Sequence, residues 1–404
     1  MFAIPNQGSS QAFDVLSTSD THTNVSSKYL ALGWYKIDRI HESEPACIIF
    51  ARHIKTNESI VLKLLIEFKD IRYSLTTVGE RQQCQVEALR WNRLFTPSVY
   101  IGLVHISEVD LNQKKLEIDE VIKDPAIESL SPDKEYALLM RPLPHSRRLD
   151  YLLIEPEESL ELLLHILIRY IGRIHIDLSP LSLLPEEAKR WGSCEWLQNK
   201  LDHNLVFLDQ ILAADRYGQY DNYYWLKDSL SQIFKQLEYK QCFNQRVEEQ
   251  RIKRCHADIK AQNIWLAPFL PDAFHHYRFK KKPEKYIFLL DAIDFNPMYS
   301  NIDILSDLAM LLTDIEARTN QLPLVNDLIE SYLSFTNQQD RISRLVLAYY
   351  LVEKSIVGSA VSILYDNQPI IGQAFLEVAN TRMIDLENQM GLYNHLPFQS
   401  PVFS

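Results

Sequence analysis

Glycine is the residue that this chain lacks most, with only 10 glycines among 404 residues, against a usual share of about 7 %. No two of them lie closer than 14 residues apart. The dinucleotide fingerprint and the P-loop both need clustered glycines, because the backbone must come close to phosphate there. The sequence therefore excludes both motifs, together with the glycine-rich loop of ordinary protein kinases.

Paired cysteines and positive charge are also missing. The 5 cysteines are odd in number and have no C-x-x-C spacing, which is typical of reduced thiols in the cytosol. A net charge of −11 excludes a global attraction to nucleic acid or to anionic lipid. The first ten residues lack the basic and apolar segments of a signal peptide. We therefore expect a cytoplasmic protein with no nucleic-acid or membrane partner.

Two apolar patterns divide the chain. Residues 29–145 contain short β-branched and aromatic runs, which predict an antiparallel sheet, and one amphipathic helix that Pro97 ends. Residues 146–395 are patterned for helices, including a buried one around Glu353 and Lys354, with one short hairpin between them. Residues 1–28 are polar without an apolar period and predict a flexible arm. The predicted fold class is α+β.

The hairpin contains the residues that suggest a chemistry. The stretch CHADIKAQNIWL places His256, Asp258, Lys260 and Asn263 just before an apolar strand, and YIFLLDAIDF follows about thirty residues later. Phosphoryl transfer needs a carboxylate that accepts a hydroxyl proton and oxygen ligands that hold Mg²⁺. Asp258 fits the base and Asn263 fits a metal ligand. Lys260 fits a group that neutralises phosphate charge.

These motifs resemble the aminoglycoside phosphotransferase and choline kinase branch of the protein-kinase-like superfamily. The segment NIDILSDLAMLL, with Asp303 and Asp307, is similar to the D-x-x-x-D-L-A segment of that branch. Within the branch, VEALRWNRLF and YALLMRPLPHSRRLDYLL are most similar to a little-characterised bacterial group of predicted phosphotransferases. The resemblance implies a two-lobed fold, with a β-rich N-lobe over 29–145 and a helical C-lobe over 146–395. It also implies that ATP and Mg²⁺ bind between the lobes.

The resemblance further implies roles for individual residues. Lys63 is expected to pair the phosphates and Glu87 to pair with Lys63. The backbone around Leu139 and Met140 is expected to meet adenine. His256 is expected to organise the catalytic loop, and Asp303 and Asp307 to brace that loop or cap the next helix.

The second metal ligand is left open between Asp291 and Asp294. Asp294 is slightly favoured, because its distance from Asp303 is close to the spacing of the family. We expect His175 to be a packing histidine and Cys255 to be a packing thiol. The basic segments at 145–148 and 278–282 are expected to be solvated.

Three departures from the family pattern bear on the site. Ala257 replaces a glycine between the histidine and the catalytic aspartate, which should be tolerated if its φ is negative. The turn expected to cover the phosphates, residues 41–47, contains no glycine. Lys260, two residues after the base as in protein kinases, widens the candidate acceptors to include protein hydroxyls.

The sequence thus predicts an ATP- and Mg²⁺-dependent phosphotransferase that acts on a hydroxyl of a small molecule. A pseudokinase scaffold that binds nucleotide or a partner without turnover is the alternative, and the missing glycine turn motivates it. A protein kinase and an adenylyltransferase are further alternatives within the same site.

Overall fold

The structure is a computed structural model that describes residues 32–43, 45–69, 74–157, 159–179, 185–214, 222–266, 286–294, 296–364 and 368–391. The predicted arm at 1–28 and the basic tract at 278–282 lie outside the described residues. The predicted mixture of an antiparallel sheet and many helices is confirmed.

Six antiparallel strands form a closed barrel in the order β1-β2-β3-β6-β4-β5. The strands are β1 (Gly33–Ser43), β2 (Ala46–His53), β3 (Ser59–Leu65), β4 (Tyr100–Asp110), β5 (Lys115–Ile122) and β6 (Tyr136–Met140). The sequence predicted the strands but not the closure, which depends on β1 pairing with β5 from Gly33↔Ile118 to Lys36↔Lys115. Gly102 is required where β4 and β5 approach, because a Cβ there would lie 2.5 Å from the carbonyl oxygen of Ile122.

Helix α1 (Val78–Phe95) packs on the outside of the barrel. Thr77 and Glu80 form a capping box at its start, which satisfies amides that would otherwise lack partners. Val86 and Leu89 pack against Leu103 and Leu138 of the barrel. The helix ends at Phe95, as the proline two residues later predicts.

The rest of the described chain is mostly helical. Its helices are α2 (Leu149–Ile154), α3 (Leu160–Asp177), α4 (Pro185–Gly192), α5 (Cys194–Ala214), α6 (Asn222–Tyr239), α7 (Cys242–Glu248), α8 (Pro297–Ser300), α9 (Ile304–Thr319), α10 (Leu322–Phe335), α11 (Arg341–Leu364) and α12 (Pro369–Met390). One large apolar core joins most of them, and it includes Trp91 and Phe95 from the end of α1. Helix α1 therefore contacts both the barrel and the helical core.

Two short strand pairs lie within the helical part. β8 (Ile264–Leu266) and β9 (Ile287–Leu289) form the predicted hairpin, and β7 (Ile252–Arg254) pairs with β10 (Asn301–Asp303). The candidate catalytic and metal-binding residues of the hairpin lie in two segments, one between β7 and β8 and one after β9.

Helix α11 is long and apolar enough to cross a membrane by length and composition alone, but 72 % of its apolar window is buried inside the protein. The prediction of a buried helix there is confirmed. Glu353 in its middle accepts a hydrogen bond from Asn204 of α5 (2.9 Å), so this charge has a partner in the core.

Candidate active site

The carboxylate of Asp258 lies in the loop between β7 and β8 and is contacted by two nearby side chains. Asn263 Nδ2 donates to Asp258 Oδ2 (2.8 Å) and to the Asp258 carbonyl oxygen (3.0 Å). Lys260 Nζ lies 3.2 Å from Asp258 Oδ2. The side chain of Asp258 keeps 25 % of its surface exposed. The structure thus brings together three of the predicted residues, with the aspartate open to solvent.

Helix α9 holds this loop through two carboxylates. Asp307 accepts from the backbone N–H of His256 (3.2 Å) and of Ala257 (2.8 Å), and Asp314 accepts from that of Ala261 (2.6 Å). The predicted bracing role of Asp307 is therefore confirmed. Asp314 was missed, although its seven-residue distance from Asp307 places both on one helix face.

Asp303 caps α9 as predicted. Its Oδ1 accepts from the N–H of Leu305 (2.9 Å), and its two oxygens receive the buried guanidinium of Arg246 at 2.7 Å each. This cap fixes the start of the helix that carries Asp307 and Asp314.

His256 is fully buried and packs against Phe95 with ring centroids 5.0 Å apart. Burial lowers its pKa, so the imidazole is neutral at pH 7. Such a group can support the loop but is out of reach of a substrate.

Ala257 corrects one expectation, because its φ is +67°. A left-handed conformation brings Cβ close to the following carbonyl oxygen and costs an L-residue roughly 1–2 kcal/mol. The structure retains this strain in a loop that Asp307 fixes through the Ala257 N–H. Alanine was expected to be tolerated here if its φ were negative, and its φ is positive.

Lys63 on β3 reaches across to Asp291, which follows β9. Lys63 Nζ lies 2.5 Å from Asp291 Oδ1. Burial lowers the pKa of Lys63, but the carboxylates of Asp291 and Asp294 outweigh it and raise that pKa above its usual value. The ammonium of Lys63 in turn holds the pKa of Asp291 below its usual value. Asp291 is therefore an anion, and its side chain is 58 % exposed.

Asp294 lies in a different environment. Its carboxyl is half-buried, and its Oδ2 accepts from Asn92 Nδ2 (3.3 Å). Burial raises its pKa to about 7, so this carboxyl is partly protonated at neutral pH. Of the two candidate metal ligands, Asp291 is thus the exposed, ionised carboxylate, and Asp294 is the half-buried carboxyl beside an amide.

Glu87 does not lie where the resemblance placed it. Its Oε1 accepts from Arg90 NH1 (2.8 Å), and among the described residues no ion pair joins it to Lys63. The neighbour that contacts Lys63 is Gln85, whose Nε2 donates to the Lys63 carbonyl oxygen (2.8 Å). Glu87 follows two residues later, about 200° around the helix, and its printed partner is Arg90 on the next turn.

Leu139 lies in β6, a core strand of the barrel. Its side chain is fully buried in the barrel interior, and its backbone lies between Leu62 of β3 and Gly102 of β4 in the sheet. Met140 ends the strand, and the N–H of Arg141 donates to the Val99 carbonyl oxygen (3.0 Å). The segment from Met140 onward is where the backbone leaves the sheet and can meet a ligand.

The segment 41–47 is mostly strand. β1 and β2 pair up to Ser43↔Ala46, so only positions 44 and 45 connect them, and 44 lies outside the described residues. Ile48 of β2 is opposite Lys63, which places the start of the turn, at Ala46, about 7 Å along the strand from Lys63. The described parts of β1 and β2 therefore stay paired to within two residues of each other, in a segment that contains no glycine.

The remaining structural expectations have mixed outcomes. His175 is buried, with its ring nitrogens 2.7 Å from Tyr332 OH and 3.1 Å from Asp307 Oδ2, and Cys255 is fully buried. Both confirm packing roles. The basic segment at 145–148 is not simply solvated: the guanidinium of Arg147 donates to the Leu266 carbonyl oxygen (2.7 Å) and pairs with Glu157.

The site thus combines oxygen ligands and cations. Asn263 commits its amide nitrogen to Asp258, which leaves its carbonyl oxygen for a cation, and Asp291 offers an exposed carboxylate. Hard oxygen donors of this kind fit Mg²⁺, which is usually bound through one or two carboxylates together with phosphate oxygens. Lys63 and Lys260 supply the positive charge that phosphates require.

The chain resembles several solved structures at low sequence identity. No family model matches the chain, and no curated protein matches it. Among solved structures, a choline kinase from Cryptosporidium parvum Iowa II is 12 % identical with a TM-score of 0.43, over 91 % of this chain and 91 % of that one. A Plasmodium vivax ethanolamine kinase is 10 % identical with a TM-score of 0.44, over 88 % of this chain and 84 % of that one.

A predicted aminoglycoside phosphotransferase from Ralstonia eutropha JMP134 is 8 % identical with a TM-score of 0.40, over 92 % of this chain and 95 % of that one. The resemblance predicted from the motifs is confirmed as a resemblance to these enzymes.

Proposed function

We propose that the protein is an ATP- and Mg²⁺-dependent phosphotransferase whose acceptor is a hydroxyl of a small molecule. The observation that supports it most is the convergence of Asp258, Asn263 and Lys260 in one loop with a Lys63–Asp291 pair beside it. We further propose that the barrel with α1 forms the small lobe and residues 146–395 the large lobe of a kinase-like fold, with ATP between them.

In this proposal Asp258 receives the proton of the acceptor hydroxyl. Both contacts to its carboxylate, from Asn263 and from Lys260, are made to Oδ2, so Oδ1 is the oxygen that accepts the proton. The nearby ammonium groups draw phosphate oxygens toward the site. The acceptor oxygen then attacks the γ-phosphorus of ATP, and ADP leaves.

Asn263 and Asp291 are the proposed metal ligands, and Lys63 the proposed phosphate contact. When bound, Mg²⁺ would neutralise the negative charge of the phosphate groups. The segment from Met140 onward is proposed to meet adenine.

A nucleotide-binding scaffold without turnover is the second candidate. The observation that favours it is the β1–β2 hairpin, whose pairing up to Ser43↔Ala46 commits backbone amides that a glycine loop would offer to phosphate. Protein Ser/Thr phosphorylation and AMP transfer are the remaining alternatives.

One experiment separates these candidates. The protein is incubated with Mg²⁺ and ATP labelled at the α- or γ-phosphate, together with choline, ethanolamine or an aminoglycoside, and compared with Asp258→Asn. We expect transfer of the γ-label to an alcohol, with a rate reduced about 10²- to 10⁴-fold in the variant. Transfer of the α-label indicates adenylylation, and label on protein serine or threonine indicates a protein kinase.

A thermal shift with Mg·ATP is run on the same preparations. A rise in melting temperature with Mg·ATP, without transfer of phosphate to any acceptor, favours the scaffold. If neither wild type nor variant is stabilised by Mg·ATP, the nucleotide site itself is wrong.

A further inference from the structure

One face of α1 carries a row of buried polar side chains. Gln82, Gln85 and Asn92 of α1 and its C-cap residue Thr96 are each at most 4 % exposed. At about 100° per residue, the three helical residues fall within one narrow stripe that leads to Thr96. Gln82 donates to the carbonyl oxygens of Ser131 and Lys134. The other three contact β3, β9 or the segment that follows β9. Burial of a polar group costs free energy unless the group is hydrogen-bonded. The side chains of this row therefore need specific hydrogen-bond partners.

The C-terminal half of the row clamps the segment that contains Asp291 and Asp294. Asn92 Oδ1 accepts from the Ala292 N–H (2.8 Å), while Asn92 Nδ2 donates to the Ala88 carbonyl oxygen (3.0 Å) and to Asp294 Oδ2 (3.3 Å). Thr96 Oγ1 exchanges hydrogen bonds with the backbone of Leu289, accepting from its N–H (2.8 Å) and donating to its carbonyl (2.7 Å).

A fourth contact comes from the first residue of β4. The hydroxyl of Tyr100 accepts from the Asp291 N–H (2.9 Å), and Tyr100 is 3 % exposed. Asp291 has a φ of +64°, a conformation that costs an L-residue roughly 1–2 kcal/mol. It persists because the N–H groups of Asp291 and Ala292 are both held, and it directs the Asp291 carboxylate toward Lys63.

We propose that Asn92 is a positioning residue for Asp291, with Asp294 as the hydrogen-bond partner of Asn92 instead of a metal ligand. The inference rests on the proposed function, because it takes Asp291 as the ligand. An ion pair between α1 and Lys63 is absent among the described residues, and the amide row links α1 to both Lys63 and Asp291 in its place. Lys63 and Asp291 are thereby fixed by the same helix.

The test measures the binding of Mn²⁺, used in place of Mg²⁺, by electron paramagnetic resonance in the presence of a non-hydrolysable ATP analogue. Asn92→Asp keeps the acceptor for the Ala292 N–H but sets a carboxylate against Asp294. Loss of such an outer partner typically weakens metal affinity about 10- to 100-fold, and we expect a loss in that range. Asp294→Asn alone should change the affinity less than about threefold, because its remaining carbonyl still accepts from Asn92.

The double variant Asn92→Asp/Asp294→Asn reverses donor and acceptor across this contact. We expect it to bind Mn²⁺ at least roughly fivefold more tightly than Asn92→Asp, since a contact pair shows coupling in a double-mutant cycle. A merely structural role for Asn92 would give no such rescue. If Asp294 is itself a metal ligand, Asp294→Asn abolishes binding and the double variant is no better, which overturns the proposal.

Gln82→Leu is the matched control, because Gln82 lies on the same face of α1 with its bonds made away from Asp291. It should lower the melting temperature by an amount similar to Asn92→Asp while leaving the affinity for Mn²⁺ unchanged. If wild type binds Mn²⁺ and Asn92→Asp binds it with the same affinity, the positioning role is wrong and the proposed function still stands. If wild type fails to bind Mn²⁺ with the nucleotide analogue, the proposed function is wrong as well.

Discussion

At the scale of single residues, burial separates two aspartates that the sequence alone cannot separate. Asp291 and Asp294 are three positions apart, and both follow the same strand. Asp291 is exposed beside Lys63, whereas Asp294 is half-buried beside an amide. The carboxylate that stays ionised and open is the better ligand for a cation, because a protonated carboxyl has lost its charge.

The raised pKa of Asp294 predicts a pH-dependent stability. An unfolded aspartate titrates near pH 4, and in the fold burial raises the pKa of Asp294 to about 7. Between these values the folded state binds the extra proton, so stability falls as pH rises, by at most about 1.4 kcal/mol per pH unit. Because the carboxyl is only half-buried, we expect about 1–2 kcal/mol between pH 5 and pH 7.

Urea unfolding of wild type and Asp294→Asn at pH 5 and pH 7 measures this effect. The variant should gain stability over wild type on going from pH 5 to pH 7. The exposed Asp133→Asn serves as the control and should follow wild type. Equal pH dependence in wild type and Asp294→Asn would show that Asp294 titrates normally.

Ala257 gives a second prediction at this scale. Glycine at a φ of +67° avoids the strain of roughly 1–2 kcal/mol, and it loses roughly 0.5–1 kcal/mol through the entropy of the unfolded chain. Ala257→Gly should therefore raise the free energy of unfolding by about 0.5 kcal/mol. Ala257→Val should lower it by more than about 1 kcal/mol, because β-branched residues rarely adopt this conformation. A loss of stability in Ala257→Gly would mean that the loop adopts another backbone conformation in solution.

At the scale of elements, the face of α1 decides which side chain meets Lys63. Gln85 donates to the backbone carbonyl of Lys63, and Glu87 pairs with Arg90. We expect Glu87→Gln to change the affinity for Mg·ATP less than about twofold, in line with the small contribution of exposed ion pairs. Lys63→Met should weaken that affinity at least about tenfold, because it removes a charge from the phosphate site.

Isothermal titration calorimetry with Mg²⁺ and a non-hydrolysable ATP analogue measures both variants. A large loss in Glu87→Gln would show that the helix rotates to form the Lys63–Glu87 pair when nucleotide binds. Equal affinity of Lys63→Met and wild type would remove Lys63 from the site.

The same elements show what the sequence could predict. The loop from His256 to Asn263 is one contiguous stretch, so residue types and spacing sufficed to place Asp258 beside Asn263. The contact between Lys63 and Asp291 spans 228 positions, and the barrel closes through β1 and β5. Contacts of this kind depend on packing, and no local pattern encodes them. The amide row of α1 was missed because polar residues in an amphipathic helix usually indicate a solvent-facing side.

At the scale of the whole molecule, α1 is the element shared by two cores. Its Val86 and Leu89 pack on the barrel, and its Trp91 and Phe95 lie in the helical core. Phe95 is 2 % exposed and contacts the ring of His256. Unfolding of the barrel would therefore expose part of the helical core, and we expect wild type to unfold in a single calorimetric transition.

Phe95→Ala should weaken this connection. Removal of a buried phenylalanine ring typically costs about 3–5 kcal/mol, and here the loss falls on the contact between the two cores. We expect the calorimetric transition to move to lower temperature and to separate into two. Leu94→Ala is the control, because Leu94 is the preceding residue of the same helix and is 60 % exposed, so its transition should stay single and close to that of wild type. Two transitions in wild type would mean that the barrel and the helical core unfold independently. Helix α1 would then position Asp291 without coupling the unfolding of the two parts.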